Sequence, residues 1–129
     1  MSDERSARDE RFPLEWSGQV AVVSATGEID ITNADGFRDA LLSALNAGAA
    51  GLVADMTSTT FLDSAGVTAL VRAARRASAA GATLRLAVTA SSVLRVLNLV
   101  GIDRLIEVYP SLAGAVASLP DQTGRGLPA

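Results

Sequence analysis

The sequence predicts an α/β fold with a mixed, largely parallel sheet of about five strands and about four helices. One short, uninterrupted apolar run, residues 51–54, is typical of a central strand that is covered on both faces. Amphipathic helical patterns lie between this run and later strand-like segments, which predicts right-handed crossovers between parallel neighbours. The first two strand-like segments have no helix between them. They therefore predict an antiparallel hairpin at one edge of the sheet.

The first half of the chain contains this hairpin and one helix. Residues 12–16 and 20–25 have strand-like patterns, and a Ser-Gly pair between them supplies the turn. The second strand closes at the Gly-Glu-Ile-Asp sequence of residues 27–30. Thr32 or Asn33 can cap the helix that follows.

The centre of the chain predicts a strand, a helix and a second strand. The apolar run ends at Asp55, and a hydroxyl-rich loop follows it. A helix then begins at Ser64 and ends at Gly81, where glycine is a favourable terminator. Residues 83–88 form the next predicted strand. This strand, helix and strand make up a parallel crossover.

The last third predicts two more helices with a short strand between them. Ser91 or Ser92 can cap the third helix, Gly101 ends it in a left-handed conformation, and residues 105–109 form the last strand. All four helices have an apolar stripe at helical spacing. The predicted core faces are Phe37, Ala40, Leu41, Ala44 and Leu45 in the first helix; Val67, Leu70, Val71, Ala74 and Ser78 in the second; Val93, Val96, Leu97 and Val100 in the third; and Leu112, Ala115, Val116 and Leu119 in the fourth.

Length and composition predict one globular domain. The 129 residues are 49% apolar and 19% charged, which is enough apolar material for a real core. We expect a charged, mobile arm at residues 1–11, the domain at 12–119 and a disordered tail at 120–129. No apolar run approaches the roughly 20 residues of a membrane span, and the first residues lack the apolar region of a secretory signal. A cytoplasmic location is therefore expected.

The absence of three residue types narrows the possible functions. The chain has no Cys, His or Lys, and all its positive side chains are arginines. Ser-His-Asp triads, Ser-Lys dyads, Schiff bases and phosphate-loop lysines are excluded, so we expect no enzyme. A typical structural zinc site is excluded too, and we expect no metal and no cofactor. The net charge of −3 gives no reason to expect nucleic acid or an anionic membrane as a partner.

Ser64 is the strongest candidate for a functional residue. With Asp63 as the N-cap, Ser64 lies in the first helical turn, where free N–H groups and the helix dipole favour an added negative charge. This position suits a phosphorylatable switch, although Ser and Asp before a helix are also ordinary capping residues. Glu28 and Asp30 form a second candidate constellation, with turn formation as the alternative role.

Five motifs resemble those of the STAS domain, and in particular those of bacterial anti-sigma factor antagonists. They occur in the family's order and spacing across roughly residues 12–119. The motifs are Gly27-Glu28-Ile29-Asp30, Asp55 at the end of the central strand, Phe61-Leu62-Asp63-Ser64-Ala65-Gly66, Gly81-Ala82-Thr83-Leu84-Arg85-Leu86 and Gly101-Ile102-Asp103-Arg104-Leu105. The sequence departs from many relatives at Ala65, where they carry a second serine. Ser64 is therefore the clearer acceptor, with Thr59 and Thr60 as minor candidates.

The resemblance implies a STAS fold and a protein-binding switch. In such families a kinase-fold anti-sigma factor phosphorylates the serine that matches Ser64, and a metal-dependent serine phosphatase removes the phosphate. The unmodified protein binds the anti-sigma factor and frees the sigma factor. We expect a monomer or weak dimer whose partner covers the start of the Ser64 helix. The expected contact residues are Glu28, Asp30, Asp55, Met56, Phe61, Leu62, Asp63, Ala65, Gly66 and Val67.

Other functions fit the sequence less well. A phosphoacceptor receiver would use Asp55 but needs a partnering lysine, which the chain lacks. An enzyme with Ser64 as nucleophile would lack the usual general base and the nucleophile-elbow pattern. A STAS module with another role stays open because a fold does not fix a function. That role could be a scaffold in a stress-signalling assembly, which should form stable oligomers, or a soluble subunit of a lipid transporter, which should copurify with membrane components.

Overall fold

Five strands and four α-helices lie between residues 12 and 120, the part of the chain that this computed structural model describes. A turn of 3₁₀-helix, Ile102–Arg104, precedes the last strand. The predicted arm at 1–11 and the predicted tail beyond Pro120 lie outside the described residues. The elements in chain order are β1 (Leu14–Ser17), β2 (Val20–Ile29), α1 (Ala34–Asn46), β3 (Gly51–Leu62), α2 (Ser64–Ala80), β4 (Thr83–Val88), α3 (Ser91–Val100), β5 (Glu107–Tyr109) and α4 (Leu112–Ala117).

The sheet is mixed and largely parallel, as predicted. Its strands are ordered β1-β2-β3-β4-β5, so β3 lies at the centre. The β1–β2 hairpin is antiparallel and forms one edge, while the three other pairings are parallel. The parallel strands β2 and β3 end side by side, whereas β4 ends earlier, opposite Met56, so a site can be assembled from the ends of β2 and β3.

The two faces of the sheet are covered unequally. Helices α1, α2 and α3 pack on one face and enclose the larger core, whereas α4 alone packs on the other. Alternation along β3 explains the division, because successive side chains of a strand point to opposite faces. Leu52 and Ala54 belong to the larger core, and Val53 packs with Ala87 and Ala115 in the smaller one.

The central strand is longer than predicted. β3 continues through the hydroxyl-rich segment to Leu62, so the prediction that the strand ends at Asp55 and a loop follows is wrong. From Thr57 onward β3 pairs with β2 alone, because β4 ends opposite Met56. At one register shift three residues of β3 correspond to two residues of β2, and at another two residues of β3 correspond to one residue of β2. These two extra residues are bulges, which let a strand with irregular polar content stay paired.

Helix α2 packs through a stripe that differs from the predicted one. Val67, Val71 and Ala74 are only half-buried, and Ser78 is exposed. Leu70 is buried as predicted, and Val67, Val71 and Ala74 pack against the margin of the core, but the fully buried stripe consists mostly of small residues and excludes Ser78. The buried residues of α2 are Gly66, Ala69, Leu70, Ala73 and Ala77. The turn of α2 nearest the β3 end therefore approaches the sheet closely.

Helix ends were predicted better than helix starts. Gly81 and Gly101 have left-handed backbones with φ of 73° and 79°, as glycine allows. The predicted serine cap of α3 is wrong, since its N-cap is Ala90 and makes no side-chain cap bond. The Ser92 hydroxyl instead donates to the Thr60 carbonyl oxygen at 3.0 Å. Ser92 thus ties α3 to β3.

The last third departs from prediction in detail. β5 begins at Glu107 rather than at residue 105, because Ile102–Arg104 forms a 3₁₀ turn and Leu105 follows it exposed. Val100 and Val116, both predicted to face the core, are also exposed. Val100 is the last residue of α3 and Val116 the last but one of α4, whereas Leu97 and Ala115 in the same turns are buried.

Candidate functional site

Ser64 is the first residue of α2 and follows directly from the end of the central strand. The Asp63 side chain caps the helix, as predicted, by accepting from the backbone N–H groups of Ala65 at 2.8 Å and Gly66 at 3.3 Å. Ser64 is exposed, and its hydroxyl makes no hydrogen bond within residues 12–120. The strand and the cap therefore fix the backbone while leaving the hydroxyl accessible.

The end of β2 lies beside the start of α2. In the parallel register Glu28 is opposite Phe61 and Ile29 is opposite Leu62. The Asp63 N–H donates to the Ile29 carbonyl oxygen at 3.1 Å, which continues the ladder to the cap residue itself. The structure thus brings Glu28 and Asp30 to the same sheet edge as Ser64, where the sequence placed them.

Asp30 lies in a tightly bonded turn between β2 and α1. The Thr32 hydroxyl and backbone N–H both donate to its carboxylate, and together they lower the pKa of Asp30 below its ordinary value. Asn33 accepts from the Asp30 N–H at 3.0 Å and donates to the Glu28 carbonyl oxygen at 2.9 Å. Asn33 does occupy the N-cap position of α1, but its side chain holds this turn and makes no cap bond to the helix.

Two exposed apolar side chains lie in the segments next to the serine. Phe61 is 46% exposed at the end of β3, and Ile31 is 80% exposed in the turn after β2. Ile31 is not among the contact residues predicted from the sequence. The only indication of it there is an isolated β-branched residue within a polar turn. We call the whole patch the Ser64 surface; it consists of Glu28, Asp30, Ile31, Phe61, Asp63 and Ser64.

Several predicted contact residues are not available at the surface. Met56 and Leu62 are 0% and 2% exposed in the larger core, and Gly66 is buried next to Leu62 and Ile29. Their side chains cannot form part of a docking surface in this fold, so the expectation of direct contact is corrected. Leu62, directly before Asp63, supports the surface from beneath, whereas Met56 lies in the core near Asp55. Ala65 and Val67 are half-buried and keep partial access.

Asp55 lies away from the Ser64 surface. It is in the middle of the sheet, opposite Ser24 on one side and Ala87 on the other. Its carboxylate accepts from the Thr57 N–H and hydroxyl, at 3.2 and 2.7 Å. Because β3 runs on for seven more residues, roughly 20 Å separates Asp55 from the strand end. Asp55 would reach the partner site only if β3 ended there, so the expectation that it contacts the same site is corrected.

The two minor acceptor candidates differ in access. Thr59 is 1% exposed and its hydroxyl donates to the Ala25 carbonyl oxygen at 2.9 Å. Thr60 is exposed, but it lies within the paired strand rather than at a helix start. The geometry therefore favours Ser64 over Thr59 by exposure and over Thr60 by its position at a helix start.

The Ser64 surface combines a free hydroxyl, carboxylates and apolar side chains. Within residues 12–120, no three acidic, His or Cys side chains are grouped so that they could hold a metal ion. None of the helices in that part of the chain has the length and apolar character to cross a membrane. The arrangement has the composition of a protein-docking surface, with apolar anchors beside charged groups.

Comparison with known proteins identifies the family and the fold of the chain. The family model of the STAS domain matches residues 11–115. An anti-sigma factor antagonist from Mycobacterium paratuberculosis is 25% identical, over 84% of this chain and 92% of that one, with a TM-score of 0.78. A search of curated proteins finds no significant match.

A second related structure is the anti-sigma factor antagonist SpoIIAA of Bacillus. Its unphosphorylated form is 21% identical over 92% of this chain and 99% of that one, with a TM-score of 0.71. Its phosphorylated form is 18% identical over 82% and 96%, with a TM-score of 0.64. These likenesses show the fold. With the five-stranded mixed sheet, the four helices and the family match in agreement, the chain belongs to the STAS-domain family.

Proposed function

We propose that this protein is an anti-sigma factor antagonist controlled by phosphorylation of Ser64. The unphosphorylated form binds a kinase-type anti-sigma factor in the cytoplasm, and the sigma factor is released. Phosphorylation by the anti-sigma factor ends this binding, and a metal-dependent serine phosphatase restores it. The protein acts by binding rather than by catalysis. It does so as a monomer or weak dimer, without direct contact to nucleic acid or membrane.

The observation that carries the proposal is the accessible, unbonded hydroxyl of Ser64 at the start of α2 in a STAS chain. A kinase needs such a hydroxyl, and the neighbouring Asp63 cap keeps the backbone in place. The M. paratuberculosis neighbour is an anti-sigma factor antagonist, and SpoIIAA occurs in both phosphorylation states. Both facts support the proposal without assigning a role to any residue here.

The proposed switch works through charge at the docking surface. A phosphoserine adds about −1.5 to −2 charge at neutral pH, beside the carboxylates of Asp63, Glu28 and Asp30. A partner that closes over this patch would have to desolvate the added charge against like charges, which opposes binding. The dipole of α2 stabilises the phosphate within the protein itself. The fold can therefore stay unchanged while the surface changes.

Phosphate mapping tests the site assignment. Wild-type protein is incubated with candidate kinase-type anti-sigma factors and ATP, and the labelled residue is identified by mass spectrometry. We expect a single phosphate on Ser64, none in Ser64→Ala, and normal labelling in the matched control Thr60→Ala. Phosphate on Thr59 or Thr60 in the wild type would refute the assignment.

Titration calorimetry tests the charge mechanism. Ser64→Asp and Ser64→Ala are titrated with the nucleotide-loaded anti-sigma factor that labels the wild type. An unpaired charge in a closed interface costs about 2–5 kcal/mol, so Ser64→Asp should bind far more weakly although both variants melt at nearly the same temperature. Equal affinities would reject the switch. Stable large oligomers, or copurification with membrane components, would favour the scaffold or the transporter role.

A further inference from the structure

A groove on the outer side of α1 and α2 has no part in the function proposed so far. It encloses about 690 Å³ and is open to solvent along α2. Its walls combine half-buried apolar side chains with exposed guanidinium groups. We call it the arginine groove; it is lined chiefly by Leu42, Val67, Val71, Arg72, Arg75 and Arg76.

The positive charge in the groove is not neutralised by the described part of the chain. Arg72 and Arg75 make no ion pair or side-chain hydrogen bond within residues 12–120. Arg76 donates only to the neutral Asn46 amide oxygen, at 2.7 and 3.3 Å. By contrast, Arg38 and Arg85 both have carboxylate partners within 4 Å. Three adjacent cations on a chain of net charge −3 form a local site for an anionic partner.

The apolar side chains make a simple anion a poor match for the groove. Leu42, Val67 and Val71 are half-buried and leave part of their surface to solvent between the two helices. An occupant that satisfies the whole groove must present apolar side chains and carboxylates on one face. An amphipathic acidic helix does this, with its apolar side chains on the floor and its carboxylates paired to arginine, which binds them bidentately.

The groove is continuous with the Ser64 surface. Val67 and Thr68, which line its near end, are three and four residues after Ser64 on the same helix. From Val67 to Arg76 the groove follows α2 for about 14 Å, the length of roughly ten helical residues. A single partner can therefore cover Ser64 and fill the groove at the same time.

We propose that the arginine groove binds an acidic amphipathic helix of the anti-sigma factor that docks on the Ser64 surface. The identity of this partner rests on the proposed function, whereas the chemistry of the occupant rests on the groove itself. Charge pairing here would steer association and add affinity beyond the contacts at Ser64, and it would weaken as salt is raised.

Charge reversal tests the groove with the partner. The full chain carrying Arg72→Glu and Arg75→Glu is compared with one carrying Arg95→Glu and Arg104→Glu, which makes the same change in charge at exposed, unpaired arginines outside the groove. We expect the groove variant to bind the anti-sigma factor at least about tenfold more weakly at low salt, with a smaller deficit at high salt. The control should bind like wild type, and circular dichroism should show both variants folded.

A synthetic peptide tests the groove without the partner. The probe is a helix of about 15 residues with leucine and glutamate on one face, and its control has lysine in place of glutamate. On the ¹⁵N-labelled full chain, only the glutamate peptide should shift the amide signals of Val67, Val71 and Arg75. The groove variant should lose these shifts.

The two tests separate failure of the groove from failure of the proposed function. If Ser64 is phosphorylated normally but both double variants bind the anti-sigma factor equally, the groove inference is wrong and the function stands. If no anti-sigma factor binds the wild type, the proposed function is wrong, and the peptide experiment alone tests the groove. Amide shifts confined to the groove would support an acidic helix as its occupant. The absence of such shifts would refute it. If the wild type is a dimer and the groove variant is a monomer, the groove binds a second copy of this chain and the inference is wrong.

Discussion

The two halves of β3 have opposite characters although they form one continuous strand. Residues 51–56, the inner half, are hydrogen-bonded to β2 and β4 on both sides, and Leu52, Val53, Ala54 and Met56 are completely buried. Residues 57–62, the outer half, pair with β2 alone and contain a bulge. Ser58, Thr60 and Phe61 there are exposed.

The difference shows how this fold presents a site without a loop. The inner half anchors the strand in both cores, and the outer half extends from that anchor beyond the end of β4. Pairing with β2 continues to the Asp63 cap, so the residue before Ser64 is held by strand geometry. A residue placed by a paired strand is positioned more accurately than one on a free loop.

The largest expected difference is in stability between the halves. Leu52→Ala in the inner half removes a fully buried side chain and should lower the free energy of unfolding by about 2–5 kcal/mol. Ser58→Ala, at an exposed position in the outer half, should change it by no more than about 0.5 kcal/mol. Urea denaturation of both variants measures the contrast. A similar loss in the two variants would mean that the outer half is as much a part of the core as the inner half.

A second variant tests the junction between the outer half and α2. A Cβ on Gly66 would overlap the Leu62 Cδ1 and lie 3.0 Å from the Ile29 Cγ2, and both side chains are buried. Gly66→Ala should therefore cost about 1–3 kcal/mol in spite of the higher helix propensity of alanine. Gly36→Ala in α1 is the comparison, since its Cβ would meet only the Phe12 ring edge, at 3.2 Å or more. If Gly66→Ala raised the melting temperature, the close approach of α2 to the strand ends would be refuted.

The inner half was predictable from sequence and the outer half was not. An uninterrupted apolar run such as residues 51–54 predicts a buried central strand, because few other structures bury every side chain of four consecutive residues. The hydroxyl-rich residues after Asp55 predict a loop by composition alone. They form a strand because β2 pairs with them in parallel and bulges accommodate the extra residues. Neither the pairing nor the bulges can be predicted from the local sequence.

The site was predictable where local chemistry determines it. Asp63 caps α2 because a carboxylate before a helix accepts the free N–H groups, and glycines end helices for an equally local reason. The solvent exposure of the site residues was not predictable. The burial of Met56 and Leu62 and the exposure of Ile31 depend on which elements cover the sheet edge. The predicted stripe of α2 lies at the margin of the buried face, because close approach to the sheet buries the small residues beside Leu70 most deeply.

The Asp63 cap gives a third, smaller expected effect. Asp63→Ala removes the acceptor for the Ala65 and Gly66 N–H groups and should lower the free energy of unfolding by about 1 kcal/mol. Asp63→Asn keeps an acceptor oxygen and should stay within a few tenths of a kcal/mol of the wild type. Hydrogen exchange at Ala65 and Gly66 should accelerate only in the alanine variant. Equal losses in both variants would show that the charge of Asp63, rather than its hydrogen bonds, holds the start of α2.

The smallest expected effect on stability concerns Asp30 at the end of β2, which flanks the outer half. Thr32 lowers the pKa of the folded carboxylate, so folding favours the ionised form. This contribution is present above the pKa of the unfolded chain, about 4, and is lost as the pH falls through the lower folded value. Asp30→Asn lacks it.

Urea midpoints of the wild type and Asp30→Asn should therefore differ slightly at neutral pH, and the difference should shrink as the pH falls below the pKa of the unfolded chain. The same variant should clearly weaken binding of the anti-sigma factor or phosphorylation of Ser64, since Asp30 lies on the Ser64 surface. Asp35 is an exposed carboxylate within α1, so Asp35→Asn is the matched control. It should leave both the affinity for the anti-sigma factor and the phosphorylation of Ser64 unchanged. If Asp30→Asn left affinity and phosphorylation rate unaltered, Asp30 would be a turn residue only. The docking surface would then be limited to the outer half of β3 and the first turn of α2.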